Sequence, residues 1–286
     1  PAVLLAQDAD YVDLDGPLGP ATADLISRSI GDAEAAGAQA LIIRVDTPGG
    51  LDKAMRALIK RMLAAKIPII TFVGPDGARA ASAGTYIVYA SHIAAMATAT
   101  NIGSSTPVSI GGPMPSAPKP DDEANGDERL PTPLDAMSRK VINDAVAYLQ
   151  GLAELRGRNI EWAEATVREG ANLRASQALE IGVVDLVVDD LDALLVALDG
   201  LEVEIHGETV TLDVAGATVE AVETDWQHEL LTVITDPTIA YGLLIFGVYG
   251  LILEFYNPGL IFPSVLGIVC LLLGAYGLQM LSLIHI

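Results

Sequence analysis

Cysteine is almost absent from this chain: Cys270 is the single one in 286 residues. One thiol excludes an intrachain disulfide framework and any zinc site built on cysteine. The four histidines show no H-E-x-x-H spacing, which argues against a zinc metalloprotease. Basic residues are also few, with 16 Lys and Arg against 37 Asp and Glu and a formal net charge of −21. That balance argues against nucleic-acid binding, which needs a basic face for phosphates. Neither the G-x-G-x-x-G of dinucleotide binding nor a P-loop is present. Charged residues make up 19% of the chain and hydrophobic residues 51%, too apolar for a disordered chain or an ordinary soluble enzyme.

Charge is missing most conspicuously near the C-terminus. Pro237 to Leu253 carries none, Glu254 interrupts, and Phe255 to Ile284 again carries none. Both runs are long enough to cross a bilayer core, with Asn257-Pro258-Gly259 as a turn between them. A transmembrane hairpin over 237–284 is expected, a buried helical pair being the alternative. Glu254 falls near the turn, where solvation or a structural role competes with proton handling. The last basic residue is Arg174, and the stretch before the hairpin is acidic (Glu223, Asp225, Glu229, Asp236). Cytoplasmic flanks are enriched in Lys and Arg, so the large N-terminal part is expected on the extracytoplasmic side. Pro1 to Ala6 reads as the end of a signal peptide or a fragment edge. Leu281 to Ile286 reads as a library-construction scar, with the natural protein continuing differently.

Residues 1 to about 190 alternate strands and helices. Expected strands are Tyr11–Leu14, Ala40–Val45, Pro68–Val73, Ile93–Ala97 and Val183–Val188. Helices are expected from Pro20, from Leu51, over Ala83–Ala90 and Leu134–Leu155, from the Asn159 cap to Glu169, and over Ala175–Ile181 with Gly182 as the stop. Such alternation implies an α/β fold with a mostly parallel sheet. Pro107 to Pro133 breaks the pattern with 7 of the 16 prolines and an acidic cluster. It reads as a mobile insertion, either a solvated loop or a lid. Leu201 to Val219 alternates like a β-hairpin linking this domain to the membrane. Thr224 to Thr235 reads as a juxtamembrane amphipathic helix, with Trp226 near the interface.

Two small-residue turns stand out. Thr47-Pro48-Gly49-Gly50 joins a strand to a helix, where glycine amides and the helix N-terminus could bind an oxyanion. A plain tight turn is the competing reading. Ala80-Ala81-Ser82-Ala83-Gly84 is a second strand-to-helix junction that could expose Ser82 as a nucleophile, although Ala80 departs from G-x-S-x-G. Close helix packing is the alternative. A serine needs a base. His92 lies past the far end of the same helix, a poor position from which to reach back. Lys140, isolated on a mostly apolar helix beside Arg139, is the better candidate, against the reading of a solvated surface lysine.

The blocks Asp46-Thr47-Pro48-Gly49-Gly50, Ala81-Ser82-Ala83-Gly84-Thr85-Tyr86-Ile87, His92 to Ala97, Asn101-Ile102-Gly103 and Lys140-Val141-Ile142-Asn143-Asp144 resemble the long-form NfeD proteins. Asn257-Pro258-Gly259 after a first membrane helix adds to the resemblance. These are membrane-bound serine proteases with a Clp protease/crotonase-like spiral fold. The resemblance implies a Ser82–Lys140 dyad, with Gly49, Gly50 and Ala83 forming the oxyanion hole, and neither cofactor nor metal. It also implies apolar substrates, stomatin-like (SPFH-domain) membrane proteins as substrate or partner, and a homo-oligomer, with a dimer preferred. The expected division is 1–200 for the Clp-protease-like domain including the 107–133 insertion, 201–236 for the β element and juxtamembrane helix, and 237–284 for the hairpin. The insertion separates serine and lysine more than the family pattern does. Competing functions are a crotonase-like acyl-CoA enzyme, an α/β-hydrolase and a non-catalytic scaffold for stomatin-like partners.

Overall fold

The computed structural model describes residues 9–109, 133–214, 217, 219–222, 226–256, 261–280 and 284–285. Most of the Pro107–Pro133 insertion, the Pro1–Ala6 start, the Asn257-Pro258-Gly259 turn and most of the tail lie outside them.

Six strands and three helices open the described chain: β1 (Ala9–Asp15), α1 (Pro20–Ala36), β2 (Ala40–Asp46), α2 (Asp52–Leu63), β3 (Ile69–Val73), β4 (Arg79–Ala81), α3 (Ala83–Ala90), β5 (Ile93–Met96) and β6 (Asn101–Gly103). Next come β7 (Val108–Ser109), α4 (Pro133–Arg156), α5 (Ile160–Arg168), β8 (Asn172–Arg174), α6 (Ala175–Glu180), β9 (Leu186–Val187) and α7 (Leu191–Leu198). The C-terminal third holds β10 (Glu202–Ile205), β11 (Glu208–Thr211), β12 (Val219–Ala221), α8 (Trp226–Thr235), α9 (Pro237–Tyr256), α10 (Ile261–Met280) and β13 (Ile284–His285), which pairs with β7.

The main sheet has the order β12-β1-β2-β3-β5-β9, with every pair parallel. Its central strands β3 and β5 are buried along their whole length because both faces are covered. Alternate residues go to opposite faces. Leu41, Ile43, Val45, Ile69 and Val73 join one core with α1 to α5, whereas Ile42, Ile70, Phe72 and Ala95 join another with α7 and the β10–β11 hairpin. Arg44 is the polar exception in β2, and Asp13 of β1 takes it in two hydrogen bonds of 2.6 and 2.7 Å. A smaller sheet, β4-β6-β8, stands beside the main one and carries the junction that ends at Ser82.

Two expectations need revision. Val183–Val188 contributes a strand at Leu186–Val187 alone, because the chain leaves α6 through Gly182 in the left-handed region and first pairs where the Asp185 amide donates to the Ala94 carbonyl (2.8 Å). Leu201–Val219 is not one hairpin. Pairing ends at Thr211, the Val214 amide turns to the Asp199 carboxylate (3.1 Å), and Val219–Ala221 adds a parallel edge to the main sheet beside β1.

Helices α9 and α10 pack through glycines. A side chain on Gly250 would stand 2.6 Å from the Pro263 carbonyl, which is how small residues let membrane helices touch backbone to backbone. Their outer faces leave Phe246, Tyr249, Phe262 and Leu272 exposed, so they are not a buried pair. Among the described residues, Thr238–Tyr256 is long and apolar enough to span a membrane and Phe262–Leu278 is shorter. Glu254 lies in the last turn of α9, as its closeness to the expected turn suggested.

The C-terminal end of α3 is held by two arginines. Arg156 donates to the Ala90 carbonyl (3.1 Å), and Arg158 to the carbonyls of Tyr89 (2.9 Å) and Ser91 (3.0 Å) and to Asp185 (2.7 Å). The Arg158 side chain is 2% exposed. Arg158→Met removes these bonds, leaving Asp185 with the Ala94 amide as donor, and should lower unfolding stability by about 3 kcal/mol in chemical denaturation, with Arg174→Met as the surface control.

Candidate active site

Ser82 is the N-cap of α3, with φ 56° and ψ −112°. A non-glycine residue seldom adopts this backbone, and holding it there costs on the order of 1–3 kcal/mol. The surroundings fix it from several sides. The Ser82 amide donates to the Gly103 carbonyl (2.9 Å), the Ala81 amide to the Thr47 carbonyl (3.0 Å) and the Thr85 amide to the Ser82 carbonyl (3.0 Å). The Thr85 hydroxyl donates to the Ala80 carbonyl (3.0 Å). Ser82 itself is 8% exposed, and its hydroxyl makes no hydrogen bond among the described residues.

The Thr47–Gly50 turn lies against this junction. Gly84 allows the approach, since a Cβ there would stand 2.6 Å from Thr47 Cγ2. The Thr47 hydroxyl accepts from the Gly49 amide (3.1 Å) and donates to the Gly49 carbonyl (3.0 Å). Gly49 therefore shapes the turn with its own amide already engaged. Gly50 pairs with Leu18 through its neighbours: the Leu18 amide donates to Gly49 and the Leu51 amide to Leu18. The Gly50 amide points the other way. Among the described residues neither it nor the Ala83 amide, the first of α3, has an acceptor.

Lys140 is exposed on α4, which runs in the same direction as α3. Tyr86 donates to the Ala145 carbonyl (3.3 Å) and stacks on Tyr148 at 6.0 Å, while Arg156 meets Ala90 near the other end. Ser82 precedes Tyr86 by four residues and Lys140 precedes Ala145 by five. This register brings both to the same end of the helix pair. Lys140 lines a cleft of about 190 Å³ with Asp52, Arg56, Pro107, Met137, Val141, Asp144 and Ala145. Ser82 does not line this cleft, and no Ser82–Lys140 hydrogen bond is formed. Catalytic contacts are often long without substrate, and a lysine stem is flexible.

His92 is excluded as the partner of Ser82. It follows the C-cap Ser91, so the eight residues of α3, about 12 Å of helix, separate the two. Its Nδ1 accepts from the Ile69 amide (3.0 Å), and burial, with the Arg156 charge next, pushes its pKa down to about 4.

Sequence reasoning missed a bridge on the cleft wall. Arg56 of α2 pairs with Asp52 (2.8 Å) and with Asp144 of α4 (2.5 Å), and lies 4.4 Å from the Tyr148 ring centre. The Asp52–Arg56 spacing of four could have been read as a helix pair, but nothing in the sequence links it to Asp144.

Known proteins resemble this chain in sequence and in fold. Residues 14–122 match the NfeD1b N-terminal domain, and residues 238–286 match the NfeD integral membrane domain. A solved structure of 1510-N, a membrane-bound stomatin-specific protease, superimposes with a TM-score of 0.67 at 32% identity, covering 81% of this chain and 99% of that one. The chain belongs to the NfeD family. That 1510-N structure is a lysine-to-alanine mutant in complex with a substrate peptide. A serine-to-alanine mutant superimposes at 0.66 and 32% identity, over 78% of this chain and all of its own. Membrane-bound protease PH1510 of Pyrococcus horikoshii is 35% identical over 280 residues, covering 96% of this chain. Membrane protein NfeD1b of Bacillus subtilis is 27% identical over 264 residues, covering 89%. The chain spans 59% and 52% of these two relatives. Its fold is that of 1510-N, followed by residues that match the NfeD integral membrane domain.

Two outcomes are expected. Gly50→Ala puts a methyl 2.3 Å from the Leu18 carbonyl and should destabilise the domain by about 1–3 kcal/mol, read as a shift of the urea midpoint. Because the fold depresses the His92 pKa, its contribution is intact above pH 6.5 and lost as pH falls toward 4. The loss from pH 8 to pH 5 should be about 2 kcal/mol in denaturation, and His92→Asn, which keeps an acceptor for Ile69, should remove that part of the pH dependence.

Proposed function

We propose that this chain is the catalytic and membrane-anchoring part of a serine endopeptidase that uses Ser82 and Lys140 to cleave apolar segments of stomatin-like membrane proteins. The observation that carries the reading is the backbone of Ser82. A strained left-handed serine at the N-terminus of a buried helix, next to two amides without acceptors, suits a nucleophile and its oxyanion site. The relatives support the rest: a membrane-bound protease, and stomatin-specific structures in which a serine and a lysine were replaced.

Ser82 Oγ attacks the scissile carbonyl while Lys140 takes the hydroxyl proton. The amides of Gly50 and Ala83 hold the oxyanion, and Gly49 shapes the turn. Lys140 returns the proton to the leaving amine, and water then releases the acyl group by the same route. Each oxyanion donor is worth roughly 2.7–4 kcal/mol. The lack of Lys or Arg after Arg174 favours an extracytoplasmic catalytic domain, residues 1–200 in this division. The homo-oligomer expected of the fold is a dimer.

The test compares wild type, Ser82→Ala and Lys140→Ala, as folded full chains in detergent, on an apolar peptide from a stomatin-like C-terminus. Each variant should lose at least about a thousandfold in kcat/KM. Cleavage by Lys140→Ala would mean that another base serves, and a wild type that cuts nothing would favour a scaffold.

A further inference from the structure

Helix α8 has three faces. At about 100° per residue, His228, Leu231, Ile234 and Thr235 share one side, and the last two are buried. Glu229 and Thr232 form a polar, exposed arc. Trp226, Leu230 and Val233, spaced i, i+4 and i+7, form an apolar stripe that is 69, 48 and 53% exposed. The first side meets protein. His228 Nδ1 lies 3.4 Å from the Ala21 carbonyl in the first turn of α1. The Ile234 carbonyl meets α10 at Gly277, where a Cβ would come within 2.2 Å.

These contacts fix the height of the stripe. After α8, Asp236 alone precedes α9, and Gly277 is in the last turn of α10. The stripe therefore starts at the plane where one membrane helix enters and the other leaves. We propose that Trp226, Leu230 and Val233 lie in the bilayer interface, against neutral phospholipid at the headgroup–acyl boundary. Lipid is the occupant because the stripe continues the exposed apolar surface of α9 (Tyr241, Ile245, Phe246). Helix α8 carries no Lys or Arg, and the acidic residues on and beside it in the sequence are Glu223, Asp225, Glu229 and Asp236. The contact thus rests on apolar burial and an interfacial tryptophan, not on attraction to anionic lipid.

The position of α8 has a catalytic consequence, which rests on the protease reading above. Ala21 follows Leu18, the partner of Gly50, at the C-terminal edge of the main sheet. That edge carries the Thr47–Gly50 turn and, beside it, Ser82. An α8 lying in the interface holds this edge at the bilayer surface, so the enzyme takes segments where they emerge from the membrane.

Trp162 is the other of two tryptophans, buried against Tyr89, and among the described residues its buried ring N–H has no acceptor. Trp162→Phe therefore leaves Trp226 as sole emitter at little cost. In phosphatidylcholine vesicles of the full chain, lipid brominated near the headgroup should quench Trp226 about twofold or more, and aqueous acrylamide should quench it weakly. Quenching by acrylamide with none by brominated lipid would put the stripe in water and overturn the proposal. Shielding from both would overturn it in favour of a protein partner or a second copy. These readings do not depend on cleavage, so they stand apart from the protease reading. The double variant Leu230→Ser, Val233→Ser should cut a vesicle-tethered substrate about tenfold more slowly and a soluble peptide at the wild-type rate. Equal rates on both substrates would overturn the catalytic consequence.

Discussion

A methyl group on Gly84 would stand 2.6 Å from Thr47 Cγ2, and its absence lets the first turn of α3 rest on the Thr47–Gly50 turn. The rest of the site depends on that close approach. It brings the Gly50 amide, from the end of β2, beside the Ala83 amide, from the start of α3. It also leaves Ser82 as the single residue linking the end of β4 to the helix, so that residue takes up the strained backbone. The hydrogen bonds from Ser82 to Gly103 and from Ala81 to Thr47 are what make the strain affordable. Two separately weak motifs thus become one site through a contact that neither motif announces.

The two faces of the sheet explain how β2 can run apolar from Ala40 to Ile43 and still be a strand. Odd positions serve the core beneath α1 to α5, and even positions serve the core beneath α7 and the hairpin. The C-terminal edge of the sheet is left for loops, which is where parallel sheets keep their ligand sites. The membrane helices attach on the same side, through α8 and α1, so the anchor and the candidate site share one end of the domain.

Much of this was legible in the sequence because it was local. The Ala83–Ala90 helix, the Asn159 cap accepting from the Trp162 amide (2.8 Å) and the first three strands follow from period, capping chemistry and turn residues. Ser82 and Gly50 were visible as candidates for the same reason: small residues at strand-to-helix junctions. What was not legible was long-range. Sequence alternation marked Val203, Ile205, Leu212 and Val214 as β but could not say that they would cover the back of the main sheet, or that Val219–Ala221 would extend its edge. Lys140 stood out by chemistry, yet its level relative to Ser82 depends on Tyr86 meeting Ala145 across 59 residues of chain. The link from Arg56 to Asp144 spans 88 residues and leaves no trace in either segment.

The arginines behind α3 have an electrical effect that goes beyond packing. A helix in isolation carries about half a positive charge at its start and half a negative charge at its end. Here the end is met by Arg156 and Arg158, whose guanidinium groups take the last carbonyls of α3. All eight residues of the helix are buried, so little water screens what remains. With its negative pole countered, α3 keeps its positive pole at Ser82, beside the Ala83 amide.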